Sequence, residues 1–348
     1  MKLSVIIPVY NVEAYIEKCV LSIEKQDIPV EEFEIIIIND GSPDNSKAVI
    51  LSLTRQFNNI VFIDQENKGV SAARNAGIDR ATGEYLLFID PDDYIAADCF
   101  SGILKTAFEA DTDIFFLGYQ FLNADNSLRK EIAYPEAAGK IYQGIQAYQV
   151  SRGDGTTDPD RAWAVLYKKT FMNNSKLRFL ANVPYLEDGE LIARILCLAE
   201  RCIFSGKAFY FRTTRQGSAT NSNMFFSEKA IAGFFKAAGN LKEFKKRFSL
   251  NESQILFINQ PIVKFTLLIV QACTGRGNFS KYKAVKEKLK MNGLDQLDTR
   301  GCNALYKKYG RLYNISPDLF YMAWSARLMF LSVYKKLPDF TKKSIQYQ

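Results

Sequence analysis

The 348-residue sequence contains no histidine. That absence removes the side chain most used as a general base near neutral pH and the commonest transition-metal ligand. Acid–base work must therefore fall to Asp, Glu, Lys, Tyr or Cys. A metal site must be rich in oxygen, which suits Mg2+ or Mn2+ better than Zn2+. Cys-x-x-Cys pairs are missing too. Cys19, Cys99, Cys197, Cys202, Cys273 and Cys302 stand apart, several in apolar surroundings, which predicts buried free thiols in a reducing compartment. No charged-then-apolar leader precedes a small-residue cleavage site. The expected location is cytoplasmic, with peripheral attachment at the inner face of a membrane as its variant. Internal repeats and low-complexity tracts are also lacking.

The sequence does carry 47% hydrophobic residues, with 26 Phe and 18 Tyr. That is enough apolar surface for two domains, or for one large domain with an appendage. The net charge of +7 is unevenly spread. Residues 1–228 hold 23 Lys/Arg against 31 Asp/Glu, whereas residues 229–348 hold 22 against 7. Such a split points to two regions with different partners.

The first part alternates short apolar runs (residues 3–8, 33–38, 60–64, 85–89, 114–117) with segments of helical period. Asn11 is a plausible cap for a helix in which Val12, Tyr15, Ile16, Cys19, Val20 and Ile23 recur at helical spacing. The pattern predicts an α/β fold with a mostly parallel sheet and helices on both faces. In such sheets ligands bind beyond the carboxyl ends of the strands. Beyond about residue 225 the pattern becomes helical and basic. The stretch 255–273 is strongly apolar but interrupted by Asn259, Gln260, Pro261, Lys264 and Gln271. A buried core helix suits it better than a membrane span. The stretch 320–337 reads as a core helix or an interfacial one.

Three polar clusters follow the apolar runs. Asp90-Pro91-Asp92-Asp93 places three carboxylates after a strand, with Pro91 holding Asp90 extended. The carboxylates can point into the crevice, where a divalent cation would relieve their repulsion and bind a diphosphate. The bland reading is a solvated, helix-capping loop. Asn39-Asp40-Gly41-Ser42-Pro43-Asp44 is turn chemistry in which Asp40 could accept hydrogen bonds from a base or ribose, while Asp44 is structural. In Asn67-Lys68-Gly69-Val70-Ser71-Ala72-Ala73-Arg74-Asn75, small residues permit close approach, and Lys68 and Arg74 bring positive charge. Glu187-Asp188 opens an apolar segment and reads equally as a first-turn pair favoured by the helix dipole. Arg212 and Arg215 lie in a loop with Gly217 and Ser218 that could close over a diphosphate or be an ordinary basic loop.

These residues, with Ser4-Val5-Ile6-Ile7-Pro8-Val9-Tyr10-Asn11, resemble the successive motifs of the family 2 glycosyltransferases of GT-A fold. The four motifs occur in the family's order over about residues 1–220. Trp163…Leu166-Tyr167-Lys168, Glu187-Asp188 and Tyr210-Phe211-Arg212 resemble later elements more loosely, and Phe211 departs from the usual Tyr. The resemblance implies a catalytic domain at 1–220 and a basic helical region at 225–348. It implies inverting transfer from a nucleoside-diphosphate sugar, commonly a UDP-sugar, to a glycan or lipid-linked acceptor. Carried over by position, Pro8, Tyr10 and Asp40 line the base pocket, and Lys68 and Arg74 lie near the nucleotide. Asp90 meets ribose or metal-bound water, Asp92 ligates Mn2+ or Mg2+, Arg212 aids the leaving group, and Asp188 is the base. Trp163 is an acceptor-side aromatic or a core residue. The competing reading is a non-catalytic sugar-nucleotide-binding scaffold on the same fold. The basic C-terminal region suits peripheral contact with an anionic membrane or a homo-oligomer contact; no motif supports nucleic acid.

Overall fold

Residues 1–152, 160–214, 227–274 and 279–336 are described by the computed structural model, the last six by backbone alone. The chain divides into two units, Met1–Ser222 and Asn223–Gln348.

The first unit is built on β1 (Leu3–Val9), whose seven residues are all buried. It pairs in parallel with β2 (Phe33–Asp40), which in turn pairs with β3 (Ile60–Gln65). On its other side it pairs in parallel with β4 (Tyr85–Phe88). Near-continuous Val/Ile/Leu runs are what a parallel strand covered on both faces requires. Helices α1 (Ile16–Glu24), α2 (Ser46–Gln56) and α3 (Val70–Arg80) connect these strands. Helix α1 buries Ile16, Cys19, Val20 and Ile23, a single face at i, i+3, i+4 and i+7. Helix α3 lies close on the sheet because Gly77 has no side chain; a Cβ there would sit 2.4 Å from the Ile6 Cγ2.

Beyond β4 the sheet becomes mixed. The remaining elements are β5 (Tyr94–Ile95), α4 (Phe100–Glu109), β6 (Ile114–Leu122), β7 (Leu128–Ile132), α5 (Gly144–Arg152), β8 (Val165–Lys168), α6 (Lys169–Asn174), α7 (Glu187–Leu198) and β9 (Cys202–Arg212). The strand order is β3-β2-β1-β4-β8-β6-β9-β5, with β7 on β6. Strand β8 runs antiparallel to both β4 and β6, and β9 runs parallel to β6. The parallel reading therefore holds for β1 to β4. The reversal at β8 brings the middle of the chain back beside β4, next to the acidic run.

Asn11 is not a helix cap. Its φ is +55°, helix α1 starts only at Ile16, and its N–H meets the Ser42 Oγ at 3.3 Å. The Val12 N–H likewise donates to the Ser46 Oγ at 3.1 Å. The chain spends these residues on joining the ends of β1 and β2 before the helix begins.

The second unit is helical: α8 (Glu228–Arg247), α9 (Glu252–Gln271), α10 (Phe279–Met291), α11 (Ala304–Ile315) and α12 (Pro317–Lys336). Ser227, Asn251 and Asn303 cap three of these helices by accepting from backbone N–H groups two residues into the helix or later. Helix α9 packs against α8, α10, α11 and α12. It is long and apolar enough to cross a membrane, with mean hydropathy 1.4 over its best window, and half of that window is buried inside the structure.

Candidate active site

The carboxyl ends of β1 and β2 make a small polar platform. Pro8 is buried in β1, and Tyr10, just beyond it, is 50% exposed. Asp40 ends β2 and is buried. Its Oδ1 accepts from the Lys68 N–H at 2.8 Å and the Gln65 Nε2 at 2.7 Å, and its Oδ2 from the Gly69 N–H at 2.8 Å. Asp40 thus braces the loop that carries Lys68, whose side chain is exposed. Gly41 makes this possible. It has φ +65°, and a Cβ there would meet the Asn67 nitrogen at 2.8 Å. Asp44 is structural, accepting from the backbone of Glu13 and Ser46.

The acidic run does not present three carboxylates to the crevice. Asp93 is 3% exposed and turned inward: its Oδ2 accepts from the Tyr210 hydroxyl at 2.7 Å and its Oδ1 from the Thr213 N–H at 2.8 Å. The Tyr210 oxygen in turn accepts from the Asp90 N–H at 3.2 Å, and the Thr213 hydroxyl donates to the Asp92 carbonyl at 2.5 Å. A turn closed by Asp93 N–H to Asp90 C=O directs the side chains apart. Burial, then the charges of Asp90 and Asp92, hold the Asp93 carboxyl well above the usual carboxylate range. Asp93 anchors the run to the end of β9 and leaves Asp90 and Asp92 half-buried at its edge.

Arg74 occupies the centre. It projects from α3 and is 3% exposed. Its Nη2 lies 3.1 Å from the Asp90 Oδ1, and its Nη1 lies 3.1 Å from the Glu187 Oε1 and 2.7 Å from the Asp188 Oδ1. The guanidinium therefore joins the acidic run to the start of α7 and is committed to carboxylates. Burial disfavours its charge, but Asp188, Asp90 and Glu187 together raise its pKa further above the ordinary arginine value. Leu186, at φ +59°, turns the chain so that Glu187 and Asp188 enter the first turn of α7. A left-handed leucine costs on the order of 1–2 kcal/mol, offset here by the ion pairs it sets up. The Asp188 Oδ2 also accepts from the Ala162 N–H at 3.1 Å. Burial raises the Asp188 pKa, while Arg74 opposes it; burial and the Asp188 charge push Glu187 up to about 7.

Trp163 flanks this cluster. It is 8% exposed, stacked on Tyr210 at 5.1 Å between centroids and edge-on to Tyr119 at 4.9 Å, so its ring serves mainly as packing. The Arg212 guanidinium lies between Trp163 and Phe121, at 5.2 and 5.3 Å from the ring centres. Arg215, Gly217 and Ser218 lie outside the described residues. The sequence placed Asp93 among three crevice-facing carboxylates and Tyr210 in a family-like triplet, and it gave no role to Thr213 or Arg161. Arg161 is buried against Tyr119 and Trp163, its Nη2 donating to the Tyr134 hydroxyl and its Nε and Nη1 without a hydrogen-bond partner.

Among the described residues no group of three or more Cys, Asp or Glu could by itself hold a metal ion. The donor set instead fits an ion shared with its ligand. Mg2+ typically takes one or two carboxylates and completes its shell with substrate phosphate and water. Asp92, beside Asp90, can supply such a carboxylate. Among the described residues Arg74 is the one cation paired with Asp90, Glu187 and Asp188, so these three carboxylates outnumber it and a divalent cation would offset the excess.

The profile of the family described as Glycosyl transferase family 2 matches residues 4–172. The glycosyltransferase GlyA of Streptococcus pneumoniae is 33% identical over 222 residues, which span 62% of this chain and 31% of GlyA. The putative glycosyltransferase EpsH of Bacillus subtilis is 27% identical over 323 residues, spanning 88% of this chain and 91% of EpsH. The crystal structure of Staphylococcus aureus TarS in complex with UDP-GlcNAc superposes with a TM-score of 0.69 at 19% identity, covering 94% of this chain and 92% of that one. This likeness assigns the GT-A-type fold.

Proposed function

We propose that this chain, whose residues 4–172 match the profile described as Glycosyl transferase family 2, moves a sugar from a UDP-sugar to a hydroxyl of a glycan or lipid-linked acceptor, with inversion at the anomeric carbon. One observation carries the reading. A single buried guanidinium, Arg74, holds Asp90 of the acidic run and Asp188 of α7 within 3.1 and 2.7 Å of itself. That pairing supports a reading in which the leaving-group end and the base end of a displacement share one small site. The UDP-sugar donor is supported by the TarS complex with UDP-GlcNAc, and a polymeric envelope acceptor by TarS's own description as a poly(ribitol-phosphate) N-acetylglucosaminyltransferase.

Asp188 is the proposed base. Its two oxygens are held by Arg74 and by the Ala162 N–H, which orient the carboxylate and leave lone pairs for an acceptor hydroxyl. Burial raises its basicity relative to a solvated aspartate. As the acceptor oxygen bonds to the anomeric carbon, its proton passes to Asp188, and the bond from that carbon to the diphosphate oxygen breaks. Pro8, Tyr10 and Asp40 line the base end, with Lys68 at its rim. Asp90 contacts ribose or metal-bound water, Asp92 would hold Mn2+ or Mg2+, and Arg212 lies on the side where the diphosphate departs. When bound, the ion would supply positive charge for the departing diphosphate.

The test is Asp188→Asn assayed for both UDP-sugar binding and turnover. Donor affinity should hold within about threefold while kcat falls by roughly 10²–10⁴. Near-normal turnover in that variant would remove Asp188 from the mechanism.

A further inference from the structure

Helix α12 is apolar on two opposite faces. One face points inward: Phe320 and Tyr321 are buried, and Tyr321 stacks on Tyr282 with ring centroids 4.1 Å apart. The other face is open to water. Ile315, just before the helix, is 77% exposed, Leu319 40% and Met322 57%; further along, Met329 is 70% and Phe330 57% exposed. At 3.6 residues per turn, the residues from Leu319 onward in that set fall within an arc of about 100°. Single exposed apolar residues are ordinary, but a helical stripe of them marks a surface that is covered in use.

The charge around the stripe selects what covers it. Residues 299–336 contain seven Lys/Arg and one acid, Asp318. Asp318 is already engaged, accepting from the Lys286 Nζ at 2.6 Å and the Tyr282 hydroxyl at 2.7 Å. Lys307, Lys308 and Arg327 are exposed. A second copy of this chain would bring an equally basic stretch against this one, and the two would repel. An anionic bilayer offers the opposite charge and an apolar interior a few ångströms below it, which is the setting in which a helix of this composition lies flat.

We propose that the open face of α12 docks on an anionic lipid surface, seating Ile315, Leu319 and Met322 at the headgroup–acyl boundary while Lys307, Lys308 and Arg327 meet lipid phosphates. The experiment is sedimentation of the full chain with vesicles of phosphatidylcholine and phosphatidylglycerol in equal proportion, and with phosphatidylcholine alone. The chain should pellet with the anionic vesicles, less in high salt, and little with the neutral ones. Leu319→Glu with Met322→Glu should weaken that binding at least about tenfold, since two side chains leave the apolar boundary. Lys307→Glu with Lys308→Glu, which leaves the helix face intact, should weaken it several-fold and serves if the first pair unfolds. Equal pelleting of either variant, equal binding to neutral vesicles, or a wild-type dimer that Met322→Glu dissociates without any vesicle binding would each overturn the proposal.

Discussion

Arg74→Met tests the centre of the site. The substitution keeps an unbranched apolar stem and deletes the cation that Asp90, Glu187 and Asp188 share. The Arg74 side chain is 4% exposed, and those of Asp90, Glu187 and Asp188 are 27%, 15% and 16% exposed. Removing one partner from a buried ion pair costs about 3–5 kcal/mol, because the opposite charge is left without compensation. Water reaches Asp90 most easily, so most of the loss comes from the two α7 carboxylates. At about 2–4 °C per kcal/mol for a unit of this size, the melting temperature should fall by roughly 10 °C.

The sign of the pH dependence separates this cause from lost packing. Without Arg74 the carboxylates are raised further in the folded state than in the wild type, where Glu187 already stands at about 7 and Asp188 is raised. An acid raised by folding makes the native state hold more protons than the unfolded chain between the two pKa values. Stability then falls as pH rises through that window. The deficit of Arg74→Met should therefore be small at pH 5 and clearly larger at pH 8. The assay is thermal unfolding at both pH values, followed by Trp163 fluorescence in a Trp324→Phe background, since the chain has two tryptophans and they lie in different units. A deficit below about 1 kcal/mol, or one that does not change with pH, would refute the charge argument.

Two further outcomes follow from the same cluster. Asp92→Ala should abolish the metal-dependent part of UDP-sugar binding while leaving the fold intact; calorimetry with and without Mn2+ that gives unchanged affinity would exclude Asp92 as a ligand. The kcat/KM profile of the wild type should lose activity as pH falls through about 7, where Glu187 takes up a proton beside Asp188. Glu187→Gln mimics the protonated side chain, so its activity should be low throughout and the limb near 7 should be absent; a limb that stays in place would show that Glu187 does not cause it.

The parts of the fold that could be read from sequence are those set by local pattern. The all-buried strands β1 and β2 appear as apolar runs centred on Val5–Ile7 and Ile35–Ile38 because both their faces are covered. Buried Cys19 and Cys99 appear as isolated cysteines in apolar segments. The order of the motifs could also be read, since each sits at a strand end. Local pattern misled at Asn11, where a cap-like residue takes φ +55° to reach Ser42 on another loop. It also could not show that the sheet turns mixed at β8, because strand direction depends on where the chain returns rather than on its composition.

What escaped the sequence is the choice among like charges. Asp90, Asp92 and Asp93 are adjacent and chemically alike, yet one is buried under Tyr210 from 117 residues away and one is paired with Arg74. No pattern within the run distinguishes them; the end of β9 does, by presenting a hydroxyl and an N–H to the Asp93 carboxylate. Arg74 likewise reads as a basic residue near a phosphate. Its partners lie 16, 113 and 114 residues away, and only the tertiary fold gathers them. The consequence is functional. With Arg74 paired to carboxylates, the proposed mechanism assigns the positive charge for the leaving group, among the described residues, to Arg212 at the end of β9 and to a bound cation. A site built this way should depend more steeply on the divalent ion than one whose arginine faces the phosphates directly.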